Sequence, residues 1–290
     1  MTWNIIGHKK NIKFFENILK SGELSGTYLF YGEEGLGKKT LALELIKNIT
    51  ELSQKEITKN PDIITLFPSE NISIENIREL KIRLNLSSLH LKQKICLIDN
   101  IHLLTTQAAN AFLKTLEEPK GKNPLIILIA FDLTNIPKTI ISRCQIINFY
   151  KVSQDDIREY LKTKLEKEDK IEKIVEFSCG NTGLAVKSIE NPALYQEFQK
   201  IVSSFHSLKI SPFWQRFKLL EGISEEKLSF TLTTWIRTIR KEIITNISQK
   251  GYSEKIDNLV LSLKKMILYK SLLKNKINKK LLIDNLVFSL

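Results

Sequence analysis

The sequence predicts an α/β domain built on a parallel sheet, then a small helical domain, then helices to the end. Three observations predict this. Ile95–Ile98 and Leu125–Ala130 are unbroken apolar runs, the pattern of strands buried on both faces. Stretches with apolar residues three and four apart separate such runs, as crossover helices between parallel strands require. Beyond residue 150 the strand-like runs stop and helical spacing alone continues.

Taken in order, residues 5–20 carry Ile5, Ile12, Phe15, Ile18 and Leu19 at helical spacing and predict the first helix. Residues 28–31 are a short apolar strand entering a Gly-rich loop. The next helix, over 38–49, has Leu41, Leu45 and Ile49 on one face. A strand follows over 63–67, and a helix over 74–84 opened by Ser73 as its cap. Ile95–Ile98 is the next strand. The helix over 105–116 is capped by Thr105 or Thr106 and stopped at Pro119, and Leu125–Ala130 is the last buried strand. Residues 153–190 read as three short helices, with Ser153 capping ahead of Asp155 and Asp156, and with Gly180 and Gly183 separating the last two. Residues 193–290 are helical, with long amphipathic stretches over 228–247 and 256–273; Pro192 and Pro212 mark joints. The predicted domains are therefore 1–150, 151–190 and 191–290.

A chain of 290 residues, 42% of them hydrophobic, has ample material for a core in two or three domains. The opening MTWNIIGHKKNIKFF lacks the apolar stretch of a secretory signal, and no run approaches the roughly 18 apolar residues of a membrane span. The expectation is a soluble, cytoplasmic protein. Cys96, Cys144 and Cys179 are odd in number and far apart, so they read as reduced, packed thiols rather than a disulfide or metal framework. The formal net charge is +12, and residues 201–290 hold 16 basic against 7 acidic side chains. An acidic partner such as DNA would suit that segment. The basic residues form no stripe interleaved with aromatics, so they read first as solvated helix faces.

The loop from Gly32 to Lys38, GEEGLGK, sits between a strand and a helix, where a phosphate loop belongs. Gly32, Gly35 and Gly37 let backbone N–H groups converge on phosphate oxygens, and Lys38 adds a full positive charge. Lys39 stands where Mg²⁺ needs a hydroxyl ligand; an ammonium opposes the metal. Thr40, one position on, points about 100° away around the helix. Asp99 ends the apolar strand KICLID where a metal-orienting carboxylate belongs, or else caps the following turn. Asn100 takes the place of a water-polarising Glu and has no basic lone pair of useful pKa. No metal site is predicted, and the loop leaves room for weak, metal-poor ATP binding with no cofactor required. His8, His90, His102 and His206 show no ligand spacing, and Trp3, Trp214 and Trp235 read as packing residues at domain contacts.

With ICLIDNIHLL from Ile95, QAANAFLKTLEEP from Gln107 and IPKTIISRC ending at Cys144, the chain resembles bacterial clamp-loader subunits of the replicative DNA polymerase holoenzyme. Ile5-Ile6-Gly7, the run from Gly26 to Phe30, and Asn60-Pro61-Asp62 are similar to theirs as well. The resemblance covers residues 1–190 and implies a RecA-like AAA+ domain with a degenerate phosphate loop, a three-helix lid and a helical oligomerising collar. Within that family the chain is most similar to the delta-prime subunit. Motor subunits carry Lys-Thr in the phosphate loop, Asp-Glu at the strand end, a polar sensor on the strand at 125–131, and an arginine sensor in the second domain. This chain has Lys38-Lys39, Asp99-Asn100, Ala130-Phe131, and Gly180-Asn-Thr-Gly-Leu184 without an arginine. Residues 50–60 contain no cysteine, so the family's four-cysteine zinc module is not expected.

The resemblance further implies that Arg143, flanked by Ser142 and Cys144, projects in trans onto ATP held by a neighbouring motor subunit. An arginine so placed stabilises negative charge gathering on the transferred phosphoryl group; a structural ion pair is the alternative reading of the same residue. The implied function is a non-hydrolysing delta-prime-like subunit helping to load the sliding clamp onto primed DNA. Its partners would be the motor ATPase subunits and a delta-type subunit, with no membrane involved and ATPase activity of the isolated chain absent or very weak. An active AAA+ motor, rescued by Thr40, and a basic DNA-binding accessory protein are the alternatives.

Overall fold

The computed structural model describes residues 2–22, 24–117, 124–221, 223–274 and 279–289. Its chain divides into two compact units, residues 1–187 and 188–290.

The first unit holds, among the described residues, a five-stranded parallel sheet of β1 (Gly26–Tyr31), β2 (Ile63–Leu66), β3 (Ile95–Ile98), β4 (Leu125–Ala130) and β5 (Gln145–Asn148). Their order is β2-β3-β4-β1-β5. β4 is buried at every residue and lies between β3 and β1, which explains its unbroken apolar run. Register aligns Tyr31 with both Ala130 and Asn148, and Ile98 with Leu128. The residues following β1, β3 and β4 therefore share one edge of the sheet, the carboxyl edge where open α/β sheets bind ligands.

Helices α1 (Lys9–Ser21), α2 (Lys38–Thr50), α3 (Gln54–Ile57), α4 (Ile74–Asn85), α5 (Thr106–Glu117) and α6 (Lys138–Ile141) connect the strands. Phe15, Leu41, Leu45 and Ile46 pack with Phe30, Leu97 and Ile127 in one core cluster. Ile77, Leu80, Ala108 and Phe112 pack with Cys96, Ile98 and Leu128 in another. Ser73 caps α4 as expected, its side chain accepting the Asn76 N–H while Asn76 returns the bond. Thr105 is the cap of α5, its hydroxyl accepting from the Ala108 N–H; the Pro119 stop lies outside the described residues.

Several elements differ from expectation. The first helix begins at Lys9 rather than residue 5, because Gly7 and His8 both adopt left-handed backbone (φ +69° and +55°) that a helix cannot continue. α3 and β5 were not anticipated. α3 is only four residues held by a Ser53/Glu56 capping box, and β5 buries one residue in four, so neither leaves a hydrophobic period. Gly183 lies inside a helix instead of breaking one; Gly180, at φ +83°, makes the break.

At the opposite, amino edge of the sheet, Asp62 is fully buried ahead of β2. Its carboxylate accepts the N–H groups of Leu89, His90 and Leu91 and the Lys94 ammonium at 2.7 Å. The Asn-Pro-Asp signature thus ties the 86–94 loop to the sheet.

Three helices complete this unit: α7 (Gln154–Lys162), α8 (Glu168–Ser178) and α9 (Thr182–Glu190), the last running past residue 187. Ser153 caps α7 through the Asp156 N–H, as expected. The second unit contains α10 (Pro192–Ile210), α11 (Phe213–Leu220), α12 (Glu225–Lys250), α13 (Glu254–Lys274) and α14 (Lys279–Ser289). Its core gathers Phe205, Leu228, Leu232, Trp235, Met266, Leu286 and Val287. The Trp235 indole donates to the Ile201 carbonyl, whereas Trp214 is 63% exposed, contrary to the expectation of a packing residue.

Candidate phosphate-loop site and the Arg143 edge

Gly32 to Gly37 leave β1 and enter α2 with Gly37 as the helix cap. Gly35 and Gly37 have φ +79° and +81°, which side-chain-bearing residues resist. At Gly32 a Cβ would lie 2.3 Å from the Phe149 carbonyl, so the close approach of the chain just after β5 excludes any larger residue. The Lys38 ammonium donates to the Gly32 and Glu33 carbonyls, both at 2.6 Å, and so braces the loop from within. Burial pushes its pKa down to about 8, against the opposing pull of Asp99, Glu34 and Glu33.

Contacts to this loop come from residues to which the sequence reading gave no role. The His8 imidazole Nε2 donates to the Leu36 carbonyl at 2.7 Å, which fixes its tautomer; burial lowers its pKa. Asn181 donates its side-chain NH₂ to the Glu34 carbonyl, and its side-chain oxygen accepts the Leu184 N–H. It thereby caps α9 and pins that helix to the loop at once. The Thr182 hydroxyl and the Gly183 N–H both donate to the Gly35 carbonyl. A Cβ on Gly183 would fall 2.9 Å from that same oxygen, and this contact is the physical reason for the glycine. The Gly-Asn-Thr-Gly string between two helical patterns was the available signal.

At the end of β3, both Asp99 oxygens are engaged by the chain. Oδ1 accepts the Asn100 backbone N–H at 2.9 Å, and Oδ2 faces Lys39 Nζ at 3.7 Å. Lys39 Nζ also lies 3.6 Å from the centroid of the Phe67 ring. The Asn100 side chain turns to the Pro68 carbonyl. Thr40 is exposed, and α2 starts in regular register at Lys38. Phe131, after β4, packs edge-on against His102 with centroids 4.0 Å apart. A phosphate cradle therefore fits here in outline, through Gly35, Gly37 and Lys38. For a divalent cation the fit is poorer, because the Lys39 ammonium lies 3.7 Å from the carboxylate that would orient it.

Ser142, Arg143 and Cys144 lie elsewhere, between α6 and β5. β5 runs parallel to β1 with Asn148 beside Tyr31, so Arg143 precedes the strand at the amino edge. At about 3.3 Å per residue the strand puts on the order of 10 Å or more between Arg143 and its own phosphate loop. Its side chain is 38% exposed, and its guanidinium is bonded to Glu117 Oε1 at 2.6 Å and to the Thr139 carbonyl at 2.9 Å. Ser142 donates its hydroxyl to the same Thr139 carbonyl. The Cys144 thiol donates to the Ile140 carbonyl, packs on the core, and is pushed by burial up to about 12. Cys96 is likewise buried and pushed up to about 12, so neither thiol is a nucleophile near neutral pH.

Residues 7–153 match the family model described as DNA polymerase III, delta subunit. A DNA polymerase III gamma subunit from Buchnera aphidicola (subspecies Acyrthosiphon pisum) is 33% identical over 181 residues, covering 57% of this chain and 49% of that protein. A gamma/tau subunit from Mycoplasma genitalium is 31% identical over 220 residues, covering 68% and 36%. The chain thus matches about a third to a half of the length of these relatives. A solved gamma subunit-related protein from Thermotoga maritima superposes with a TM-score of 0.53 at 21% identity, covering 94% of this chain and 97% of that one. The sheet order, the phosphate loop and the match across residues 7–153 lead to one assignment: the chain belongs to the DNA polymerase III delta-subunit family of bacterial clamp-loader AAA+ proteins.

Proposed function

We propose that the chain is a non-hydrolysing, delta-prime-type subunit of a clamp loader, lending Arg143 to ATP bound by a neighbouring motor subunit. The observation that carries this reading is the placing of Arg143. It stands half-exposed at the amino edge of the sheet, a strand's length from its own phosphate loop. Such an arginine serves a phosphate outside its own domain. Its ion pair with Glu117 is exposed, and exposed pairs contribute little, about 0–1 kcal/mol, so an incoming phosphate displaces the carboxylate at small cost. The loop's own chemistry supports the reading from the other side. Lys39 occupies Asp99, Asn100 turns away, and Phe131 replaces a polar sensor, so the groups needed to seat a cation and orient water are lacking.

In this reading the 188–290 helices form the collar through which the subunit joins motor and delta-type subunits. Apolar side chains exposed there, among them Ile244, Leu268 and Phe288, suit an assembly surface. Sliding clamp and primed DNA are engaged through the whole assembly in the cytoplasm. Among the described residues no helix is long and apolar enough to cross a membrane. Reconstitution with Arg143→Ala tests the proposal. Assembly persists, while turnover at the facing ATP site falls by on the order of 10³-fold or more. Unchanged turnover in an intact assembly refutes the role of Arg143.

A further inference from the structure

Losing a Mg²⁺-binding hydroxyl requires only a small side chain after Lys38. Lysine does more. From the first turn of α2 its stem reaches the end of β3, two strands away in the sheet, and its ammonium comes to rest between the Asp99 carboxylate and the face of Phe67. The second Asp99 oxygen is held by the Asn100 N–H. A bare carboxylate here would repel phosphate, whereas a carboxylate neutralised from within does not. The same ammonium repels a divalent cation approaching Asp99. Beside it, the glycine-rich turn and the Lys38 ammonium keep the fold of a phosphate cradle.

We propose that Lys39 is a tethered counter-cation. It holds the place on Asp99 that a divalent cation would take, so that the loop accepts an oligophosphate, such as a nucleoside di- or triphosphate, without metal. This rests on the phosphate loop alone and can fail or stand independently of Arg143.

The test is titration of a fluorescent ATP analogue into the full chain, once in excess Mg²⁺ and once in EDTA. The wild type binds equally well or better in EDTA. Lys39→Thr binds at least about tenfold tighter once Mg²⁺ is added, and Lys39→Thr/Asp99→Asn loses that gain. Lys39→Ser serves as a second variant should the threonine disturb the fold, which circular dichroism reports. Absence of binding by the wild type in both conditions overturns the proposal. So does a tenfold gain of the wild type with Mg²⁺, or no gain by either hydroxyl variant in a folded state.

Discussion

Asp62 and Lys38 are both buried charges, and the stability each contributes rises with pH, in acid for Asp62 and in alkali for Lys38. Burial would raise the Asp62 pKa, but the Lys94 ammonium and three backbone N–H groups outweigh it and hold the carboxyl well below its usual range. A folded pKa below the unfolded one stabilises the fold above the ordinary value of 3.8, and that contribution drains away as pH falls below it. Asp62→Ala should cost about 3–5 kcal/mol at neutral pH because it strands the Lys94 ammonium. Denaturant melts should show the gap between wild type and variant narrowing in acid. For Lys38 the pKa near 8 lies below the unfolded value of 10.5, so the unfolded chain binds more protons between those values. Stability from this group therefore rises with pH across that window. Wild type minus Lys38→Met, followed by thermal melts, should climb from pH 8 to 10.5; a flat difference would contradict the burial of this ammonium.

At the scale of elements, the contact between α9 and the phosphate loop is the feature most open to perturbation. Asn181→Ala removes a helix cap and a bond to the Glu34 carbonyl together, so a loss of about 1–2 kcal/mol is expected. Amide exchange should quicken both at the start of α9 and in residues 34–37; exchange confined to α9 would show that the helix does not brace the loop. Gly35→Ala should cost a similar 1–2 kcal/mol through its left-handed backbone, and its Cβ would press on Asn181. The sequence made much of this level legible. β3 and β4 were readable because both faces are buried, and α4 and α7 because Ser73 and Ser153 cap them. β5 was not, since an edge strand with one buried residue in four has no apolar run. The glycine spacing announced the phosphate loop. The Lys39–Asp99 pair did not announce itself, because sixty residues and two strand crossings separate its members in the chain. Distance along the chain likewise hid the partners of Asn181 and Thr182 on the loop carbonyls, although the Gly-Asn-Thr-Gly string marked the place.

On the scale of the whole molecule, the chain pairs a sheet domain that has kept its phosphate-loop fold with a helical unit bearing most of the excess positive charge. The two edges of the one sheet differ in what they present. The carboxyl edge holds a glycine-rich loop with Lys39 facing Asp99, and the amino edge holds Arg143 with its side chain partly exposed. If the account is right, disabling the first edge leaves an assembly working and disabling the second does not. The most direct measurement compares single-turnover ATP hydrolysis in two reconstituted clamp loaders, one carrying Lys38→Ala in this chain and the other Arg143→Ala. The account predicts wild-type hydrolysis in the first and loss of turnover at one site in the second. Loss of hydrolysis with Lys38→Ala, together with full activity of Arg143→Ala, would contradict it.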